Sequence, residues 1–355
     1  MKEFMSGKIP SQFHIEIPNN RVALYPSAKR GESKLLILDR LIGKVIHVGK
    51  FADIKQFISD DLLVVNETKV LPARVFGNRA TGGSVELLFI VSSLQHIEDQ
   101  VKVSALISSS RRPQPGMIIS LPKGATFEII DRSSHGGWEG IWSSAGREKF
   151  EEWLDEAGVP PLPPYIKRPT EASDLERYQT IYASTPGSIA APTAGLHFTP
   201  ELFESLKSKG AEIVKLTLDV GWGTFEPIKT DDLKQHVMHS EAYDISQDTA
   251  DAINSAKATG RKVLAVGTTS IRALEAAAQA TIPIQSGRND ANLFIYPPYE
   301  FRIVDKVLTN FHRPDSTLLQ LIAAMTGWDL LNEAYQRALD EDFRFFSYGD
   351  AMLIL

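Results

Sequence analysis

Polar side chains capable of acid–base or binding chemistry recur in short Gly-containing segments of the C-terminal half. The first covers residues 177–199 and alternates hydroxyl, amide and imidazole groups with Gly and Ala. Its centre, residues 190–195, has too little side chain to fill a core, and Gly lets the backbone approach a ligand closely. Thr199 and Pro200 then begin a predicted helix, whose N-terminus favours an electronegative group. The pattern predicts a ligand-facing loop, with an internally satisfied buried connector as the alternative.

Two further segments carry rings and titratable groups. In residues 219–225 (DVGWGTF) two glycines flank Trp222, so backbone and ring can both approach a planar ligand; a Gly-rich turn in which Trp222 only packs is the equal alternative. In residues 236–241, His236, His239 and Glu241 stand at a spacing that could ligate a metal. This segment does not read as a helix and lacks a further ligand, so hydrogen bonding or proton transfer is favoured.

Three more segments lie next to predicted helices or strands. Residues 267–270 (GTTS) open a helix, where hydroxyls and free N–H groups suit a carboxylate or phosphate, and Arg272 follows one turn later. Residues 309–314 (TNFHRP) also precede a helix, and residues 344–350 (RFFSYGD) come last. Convergence of these segments on one rim predicts a functional site better than any single motif does.

Strands and helices that alternate along the chain must position these segments. After residue 160 the hydrophobic patterns predict strands at 212–218, 262–266, 301–308 and 344–355, and helices at 200–209, 247–259, 270–278, 316–326 and 330–339. Such alternation is typical of an α/β domain with a largely parallel sheet, open or closed as a barrel. Ligands bind beyond the carboxyl ends of such strands.

The N-terminal part adds strands and an insertion. Strands are predicted at 34–39, 44–48 and 61–66, and a short helix at 51–58. From about residue 73 to 142 the runs are short and β-like, which indicates a small antiparallel barrel or sandwich, and a helix at 148–157 leads out of it. We therefore predict an α/β fold: a barrel-like main domain (1–72 and 151–355) with an inserted small antiparallel β-barrel domain (73–150).

Composition narrows the classes of protein. The 355 residues include no cysteine, which excludes disulfides, thiolate metal sites and Cys nucleophiles and fits an intracellular protein. No apolar run is long enough for a bilayer, and no signal segment opens the chain, so we expect no membrane association. The net charge of −6 lacks the general basic footprint of a nucleic-acid binder, although local basic pairs are present.

The motifs, in this order, resemble the S-adenosylmethionine:tRNA ribosyltransferase-isomerase family of queuosine biosynthesis. The resemblance covers nearly the whole chain. Its motifs are ALYP (23–26), NETKVLPAR (66–74), PLPPYI, ERYQTIYA, AAPTAGLHFT, VGWGTFEP, HVMHSE, VGTTSIRALE, LFIYP, LTNFH and RFFSYGDAMLI.

The resemblance implies a barrel-like α/β domain with a β-rich insertion, and it implies an activity. The ribosyl unit of S-adenosylmethionine is transferred to 7-aminomethyl-7-deazaguanine at the tRNA wobble position and rearranged to an epoxycyclopentanediol, giving epoxyqueuosine, adenine and methionine. S-adenosylmethionine is then a co-substrate, and neither a metal nor a redox cofactor is implied. We expect a cytoplasmic monomer whose partner is tRNA.

Chemistry, rather than the resemblance, suggests roles for individual residues. A base must remove a proton beside the sulfonium or from the amine, and polar groups must hold the substrate. Catalytic candidates are His197, Asp219, His239, Glu241, His312 and Asp350. Substrate-binding candidates are Arg177, Tyr178, Gln179, Thr193, Gly195, Trp222, Thr224, Thr268, Thr269, Arg272, Asn310 and Tyr348. Candidates for tRNA binding are Arg74, Arg111, Arg112 and Arg168.

Three positions depart from the family pattern. Asp219 stands where His is usual, Gly31 where Asp is usual, and Leu24 where a polar residue is common. If the usual His is the base, Asp219 must replace it or the activity is altered. Two alternatives therefore stay open: a catalytically silent tRNA- or nucleoside-binding relative, and an S-adenosylmethionine-using enzyme with a small-molecule acceptor.

Overall fold

A computed structural model describes residues 15–97, 100–134, 136–144, 149–221, 223, 228 and 232–355. Its strands are β1 (Lys34–Asp39), β2 (Lys44–Lys50), β3 (Leu62–Asn66), β4 (Thr68–Val70), β5 (Arg74–Arg79), β6 (Ser84–Ile97), β7 (Gln100–Ser109), β8 (Ile118–Ser120), β9 (Thr126–Arg132), β10 (Trp138–Ser143), β11 (Thr185–Ser188), β12 (Glu212–Leu218), β13 (Glu241–Ile245), β14 (Val263–Val266), β15 (Gly287–Ala291), β16 (Lys306–Asn310) and β17 (Ala351–Ile354). Its α-helices are α1 (Phe150–Ala157), α2 (Asp174–Arg177), α3 (Pro200–Lys207), α4 (Gln247–Thr259), α5 (Thr268–Ala280), α6 (Thr317–Thr326) and α7 (Trp328–Asp340).

The main sheet has the strand order β15-β13-β12-β3-β14-β16-β17-β1-β2. Strands β12, β3, β14 and β16 are mutually parallel. Strand β3 lies inside the sheet and reads LLVVN with every residue buried, as a strand covered on both faces must be. The α/β class predicted from the sequence is confirmed.

Alternate residues of the central strands face two different cores. Leu62 and Val64 belong to the larger core, which α4, α5, α6 and α7 cover, whereas Leu63 and Val65 face the core beneath α3. The period of two places successive side chains on opposite faces of the sheet. The main body is therefore a sheet between two layers that contain helices.

Strands β5 to β10 form a closed barrel in the order β10-β7-β6-β5-β8-β9, and every pairing is antiparallel. Aromatic rings fill it and connect it to α1: Phe89 lies 5.5 Å from Phe127 and 5.2 Å from Phe150 between ring centroids. Trp153 of α1 is fully buried in the same core. The predicted small antiparallel barrel is confirmed.

Three expectations about the main sheet are wrong in detail. They concern the direction of its strands, the strand predicted at residues 301–305 and the strand predicted at residues 344–350. The sheet is mixed rather than largely parallel, because β13 and β15 add antiparallel strands at one end, β2 forms a hairpin at the other, and β17 runs antiparallel to β16. Residues 301–305 form no strand because the buried Glu275 carboxylate accepts the N–H groups of Arg302, Ile303 and Val304, each at 3.0 Å.

Residues 344–350 are likewise a loop, and only 351–354 form a strand. Asp350 accepts the Arg344 N–H at 2.7 Å, and Phe346 has a φ of +73°, which is incompatible with an extended strand. Among the described helices, none combines the length and apolar character that crossing a membrane requires.

Candidate active site

The parallel strands β3, β12, β14 and β16 end at one edge of the sheet, and Asn66 fixes this edge. Its Oδ1 accepts N–H groups from Thr68 at 3.1 Å and Leu218 at 3.0 Å. Its Nδ2 donates to the Leu218 carbonyl at 3.0 Å and to Thr269 Oγ1 at 3.3 Å. The ends of β3 and β12 and the start of α5 are therefore held together by one buried amide.

A cleft opens beside this edge, and the space between its walls, measured out to the open solvent, is about 740 Å³. Its walls come from four of the predicted segments: residues 190–194, 267–269, 309–313 and 346–347. Tyr165, from the PLPPYI motif, also lines the cleft, as do Val220, Asp315, Ser316 and Leu318. The structure thus brings distant segments of the sequence together at one rim.

The N-terminus of α5 faces this cleft. Gly267 precedes the helix with a φ of +87°, a conformation that favours glycine, and no side chain caps the helix. Thr268 and Thr269 both line the cleft. An uncapped helix start presents N–H groups and the positive end of the helix dipole, so it can hold a carboxylate or phosphate.

His312 is the histidine that lines the cleft among the described residues. Its Nε2 lies 2.7 Å from Thr309 Oγ1, and its backbone N–H donates to the Tyr335 hydroxyl at 2.7 Å. Burial lowers the pKa of His312 to about 3. The imidazole is therefore neutral at pH 7 and fixed in position, as a hydrogen-bonding group at a ligand site should be.

His197 lies in a second, smaller cavity together with Arg177 and Tyr348. Its Nδ1 is 2.7 Å from Ser33 Oγ, and its ring packs on Phe51 at 5.0 Å between centroids. Burial lowers its pKa to about 4, so this imidazole is also neutral at pH 7. Ser347 lines both cavities, which therefore share a wall.

Glu241 and Arg272 form a buried ion pair rather than a ligand-binding pair. Arg272 Nη2 also donates to the Ala291 carbonyl at 3.0 Å, and Glu241 Oε1 accepts the Gly221 N–H at 2.9 Å. Neither side chain lines the cleft. The pair instead ties α5 and β13 to the loop that follows β12.

Asp219 begins the same loop and is half-buried. Burial raises its pKa, and the nearby Glu241 adds to this, while Arg288 at 3.9 Å opposes it. Its carboxylate lies so close to Gly187 that a Cβ there would come within 2.4 Å of Oδ1. His239 is exposed, and its carbonyl accepts from Arg272 at 3.4 Å. The predicted candidates Trp222 and Thr224 lie outside the described residues.

Residues 177–179 hold neighbouring segments through their side chains. Arg177 donates to the Ser27 carbonyl at 2.7 Å, and Gln179 makes two hydrogen bonds with the backbone of Val70, at 2.6 and 3.0 Å. The Tyr178 ring is buried against Tyr348 at 5.7 Å between centroids. These side chains therefore shape the rim, and the two tyrosine rings offer no open face for stacking.

Thr193 lines the cleft, whereas Gly195, two residues later, packs against Tyr182 and Thr180. A Cβ on Gly195 would come within 2.0 Å of the Tyr182 hydroxyl oxygen, so only glycine fits there. Asn310 also lines the cleft and donates to the Phe346 carbonyl at 3.0 Å. Asp350 has another role, since it accepts the N–H groups of Lys34 at 2.9 Å and Arg344 at 2.7 Å and thereby closes the last loop.

The four candidate arginines for tRNA binding do not share one surface. Arg74 lies in a groove between the barrel and residues 161–162 and pairs with Glu86 at 2.6 Å. Arg111 and Arg112 are exposed at the other end of the barrel strands. Arg168 is buried and makes a bidentate pair with Asp174, both contacts at 2.7 Å. Arg168 is thus a structural residue.

Within the described part of the chain, no three His, Cys, Asp or Glu side chains cluster as metal ligands do. Asn66, Tyr165 and Phe346 belong to the site but are not among the candidates predicted from the sequence. Asn66 ends a predicted strand beside candidate loops, which is a signal that could have marked it. Phe346 carries no such signal, because nothing in its residue type indicates a left-handed backbone.

Comparison with known proteins gives concordant matches. The family model described as "Queuosine biosynthesis protein" matches residues 10–354. A protein of Citrifermentans bemidjiense named S-adenosylmethionine:tRNA ribosyltransferase-isomerase is 45% identical, over 97% of this chain and 99% of its own. One of the same name from Trichlorobacter lovleyi is 42% identical with the same coverage. The crystal structure of an S-adenosylmethionine tRNA ribosyltransferase from Thermotoga maritima aligns with a TM-score of 0.54 and 30% identity, over 97% of this chain and 100% of that one.

Proposed function

The chain belongs to the queuosine biosynthesis protein family, and from this premise we propose that it is an S-adenosylmethionine:tRNA ribosyltransferase-isomerase. The resemblance drawn from the motifs is thereby confirmed. The acceptor is 7-aminomethyl-7-deazaguanine at the tRNA wobble position, and the products are epoxyqueuosine-tRNA, adenine and methionine. S-adenosylmethionine is a co-substrate, and the enzyme acts as a cytoplasmic monomer without a metal or redox cofactor.

One observation carries this proposal in the structure: the segments of the family motifs converge on a single cleft at the carboxyl edge of the parallel strands. Ligands bind at this edge in α/β sheets. The lining combines small residues, which leave room, with hydroxyl, amide and imidazole groups that can orient a polar ligand. A site of this kind suits a substrate with a ribose, a carboxylate and a planar base.

The uncapped start of α5 is the place for the methionine carboxylate. Thr268 and Thr269 supply hydroxyls beside the first-turn N–H groups, and the helix dipole adds a favourable field. Binding of the carboxylate at this point orients the sulfonium and ribose toward Thr193 and Asn310. The neutral His312 then contacts the ribose or the reacting amine as a hydrogen-bonding partner.

Proton transfer by His312 depends on the bound substrate. A neutral imidazole with a pKa of about 3 is a weak base in the empty cleft. A carboxylate within about 4–6 Å raises the pKa of a neighbouring base by favouring its charged form. A sulfonium at the same distance lowers that pKa, so His312 accepts a proton only where the substrate carboxylate is the nearer charge.

The groove beside the barrel is the place for tRNA flanking the reacting base. Arg132 lies over the Trp138 ring at 3.9 Å from its centroid, and Arg74 lies on the same groove. Leu162 of the groove and Tyr165 of the cleft are three residues apart, so they are separated by at most about 11 Å. A nucleotide in the cleft thus places its neighbours at the groove.

A turnover assay tests the proposed function. The protein is mixed with S-adenosylmethionine and tRNA carrying 7-aminomethyl-7-deazaguanine, and free adenine and the mass of the tRNA are measured. We expect adenine release that depends on the modified base, with a matching mass increase of the tRNA. Tight tRNA binding without adenine release would overturn the proposal and indicate a silent relative; unmodified tRNA is the control.

A further inference from the structure

Phe346 has a strained backbone at the wall of the cleft. Its φ is +73°, a left-handed conformation that is a genuine outlier for a bulky residue. The neighbouring Phe345 is fully buried, whereas Phe346 is only half-buried and lines the cleft. Strain of this kind persists only where surrounding structure imposes it, and it is concentrated at functional sites.

Hydrogen bonds from three directions fix this conformation. The Phe346 N–H donates to the Phe311 carbonyl at 3.1 Å, and its own carbonyl accepts from Gly349 N at 2.9 Å and from Asn310 Nδ2 at 3.0 Å. Asn310 also donates to the Ser347 carbonyl at 3.4 Å. The loop therefore holds the Phe346 ring in place before any ligand binds.

The Phe346 ring has an aromatic neighbour in the same wall. The Tyr165 ring lies 4.9 Å from it between centroids, tilted by 54°, and the Tyr165 hydroxyl is 2.5 Å from Ser347 Oγ. Both side chains line the cleft, and so do the small residues Ala190, Ala191 and Ala194. A rigid aromatic wall in a cleft with small residues leaves a place for a flat ring.

We propose, resting on the function proposed above, that Phe346 and Tyr165 form the binding subsite for a planar purine-type base. Stacking on an aromatic face tolerates different bases because every base has a π-face. Two reactants supply such a ring: the adenine of S-adenosylmethionine and the 7-deazaguanine of the tRNA. The strain at Phe346 is retained because it points the ring into the cleft.

Two substitutions separate the ring from the strain. Phe346→Ala and Phe346→Gly both remove the ring, but glycine tolerates a positive φ whereas alanine does not. We expect both variants to bind one of the two substrates about 5- to 150-fold more weakly, the range measured when a stacking ring is removed. In denaturant unfolding, the folding equilibrium constant of Phe346→Gly should exceed that of Phe346→Ala by about 5- to 30-fold.

Two measurements identify which base binds at the subsite. One is calorimetric titration of the protein with S-adenosylmethionine alone, and the other is the KM for tRNA under saturating S-adenosylmethionine. Loss of S-adenosylmethionine affinity assigns the subsite to adenine, whereas unchanged affinity with a raised KM for tRNA assigns it to the deazaguanine. Phe346→Tyr should retain wild-type binding. Phe57→Ala, which removes a half-buried ring outside the cleft, is the matched control.

Wild-type affinity of both Phe346→Ala and Phe346→Gly for both substrates would overturn the subsite. Equal stability of the two variants would overturn the role of backbone strain. Failure of the proposed function is a separate result, since it would appear as absence of adenine release by the wild-type protein, whereas the titration with S-adenosylmethionine needs no turnover.

Discussion

The buried His197 should make stability sensitive to acid, and His197→Asn should remove that sensitivity. The imidazole is buried against Ser33 and Phe51, and burial lowers its pKa from 6.5 to about 4. The folded state thus holds His197 neutral, whereas the unfolded chain binds a proton below pH 6.5. The contribution is complete above pH 6.5 and is lost progressively as the pH falls toward 4.

The magnitude follows from these two pKa values. Each unit of difference is worth about 1.36 kcal/mol when the pH lies between them. Integration from pH 7 to pH 5 gives a loss of about 2 kcal/mol from this one group. Asn keeps a polar group near Ser33 but cannot titrate, so His197→Asn carries a fixed cost of lost ring packing that does not change with pH.

Denaturant unfolding of wild type and His197→Asn between pH 7 and pH 5 measures the difference. The other titrating groups cancel between the two proteins, and the wild type should lose about 2 kcal/mol more of its unfolding free energy than the variant. His96→Asn, which changes an exposed ring on the barrel, should follow the wild-type curve. Parallel curves for wild type and His197→Asn would refute the assignment of a buried neutral imidazole.

Three further predictions concern the cleft, the buried ion pair and the groove. His312→Asn should lower kcat by about 10²- to 10⁴-fold in the adenine-release assay, because it removes the cleft imidazole. Thr309→Val, which removes only the hydroxyl next to that imidazole, should reduce kcat less. An unchanged kcat in His312→Asn would exclude proton transfer by this residue. Arg272→Met should lower the unfolding free energy by about 3–5 kcal/mol by leaving the Glu241 carboxylate buried without the Arg272 charge, and adding Glu241→Leu should recover much of that. Weaker S-adenosylmethionine binding without loss of stability would show instead that Arg272 holds ligand. Arg132→Ala should reduce the slope of log affinity for tRNA against log salt by about 1, and an unchanged slope would remove this groove from the tRNA site.

Elements with strong local signals could be predicted from sequence to the residue. Helix α4 begins after Ser246, whose hydroxyl accepts the Thr249 N–H at 3.3 Å, and ends at Gly260, which adopts the left-handed conformation. Strand β12 follows its apolar pattern. Strand β15 could not be found this way, because four of its five residues (GRNDA) are exposed and only its pairing with β13 makes it a strand. A local sequence pattern does not indicate which distant segments pair with each other.

The candidate site also combines features that the sequence predicts with features that it does not. Two loops of the cleft, residues 267–269 and 309–313, could be predicted, because they come at the ends of the parallel strands β14 and β16, and the carboxyl ends of such strands must share an edge. The exact set of lining side chains could not, since it depends on partners far away in sequence. Glu241 is a plausible acid or base by type, yet 31 positions later Arg272 pairs with it and removes it from solvent.

Charged side chains in this molecule fix the loops through ion pairs and hydrogen bonds, whereas most of the groups that line the cleft are neutral. Asp174, the partner of Arg168, also accepts a hydrogen bond from the Tyr348 hydroxyl at 2.8 Å and so joins residues 168–174 to the last loop, which Asp350 closes through backbone N–H groups. Among the described lining residues, Arg313 and Asp315 pair with each other at 2.6 Å. Fixed dipoles act strongly in a site shielded from water because they need no reorganisation when charge develops. For a substrate that carries its own sulfonium and carboxylate, a cleft with few unpaired charges lets the dipole of α5 determine where the carboxylate end binds.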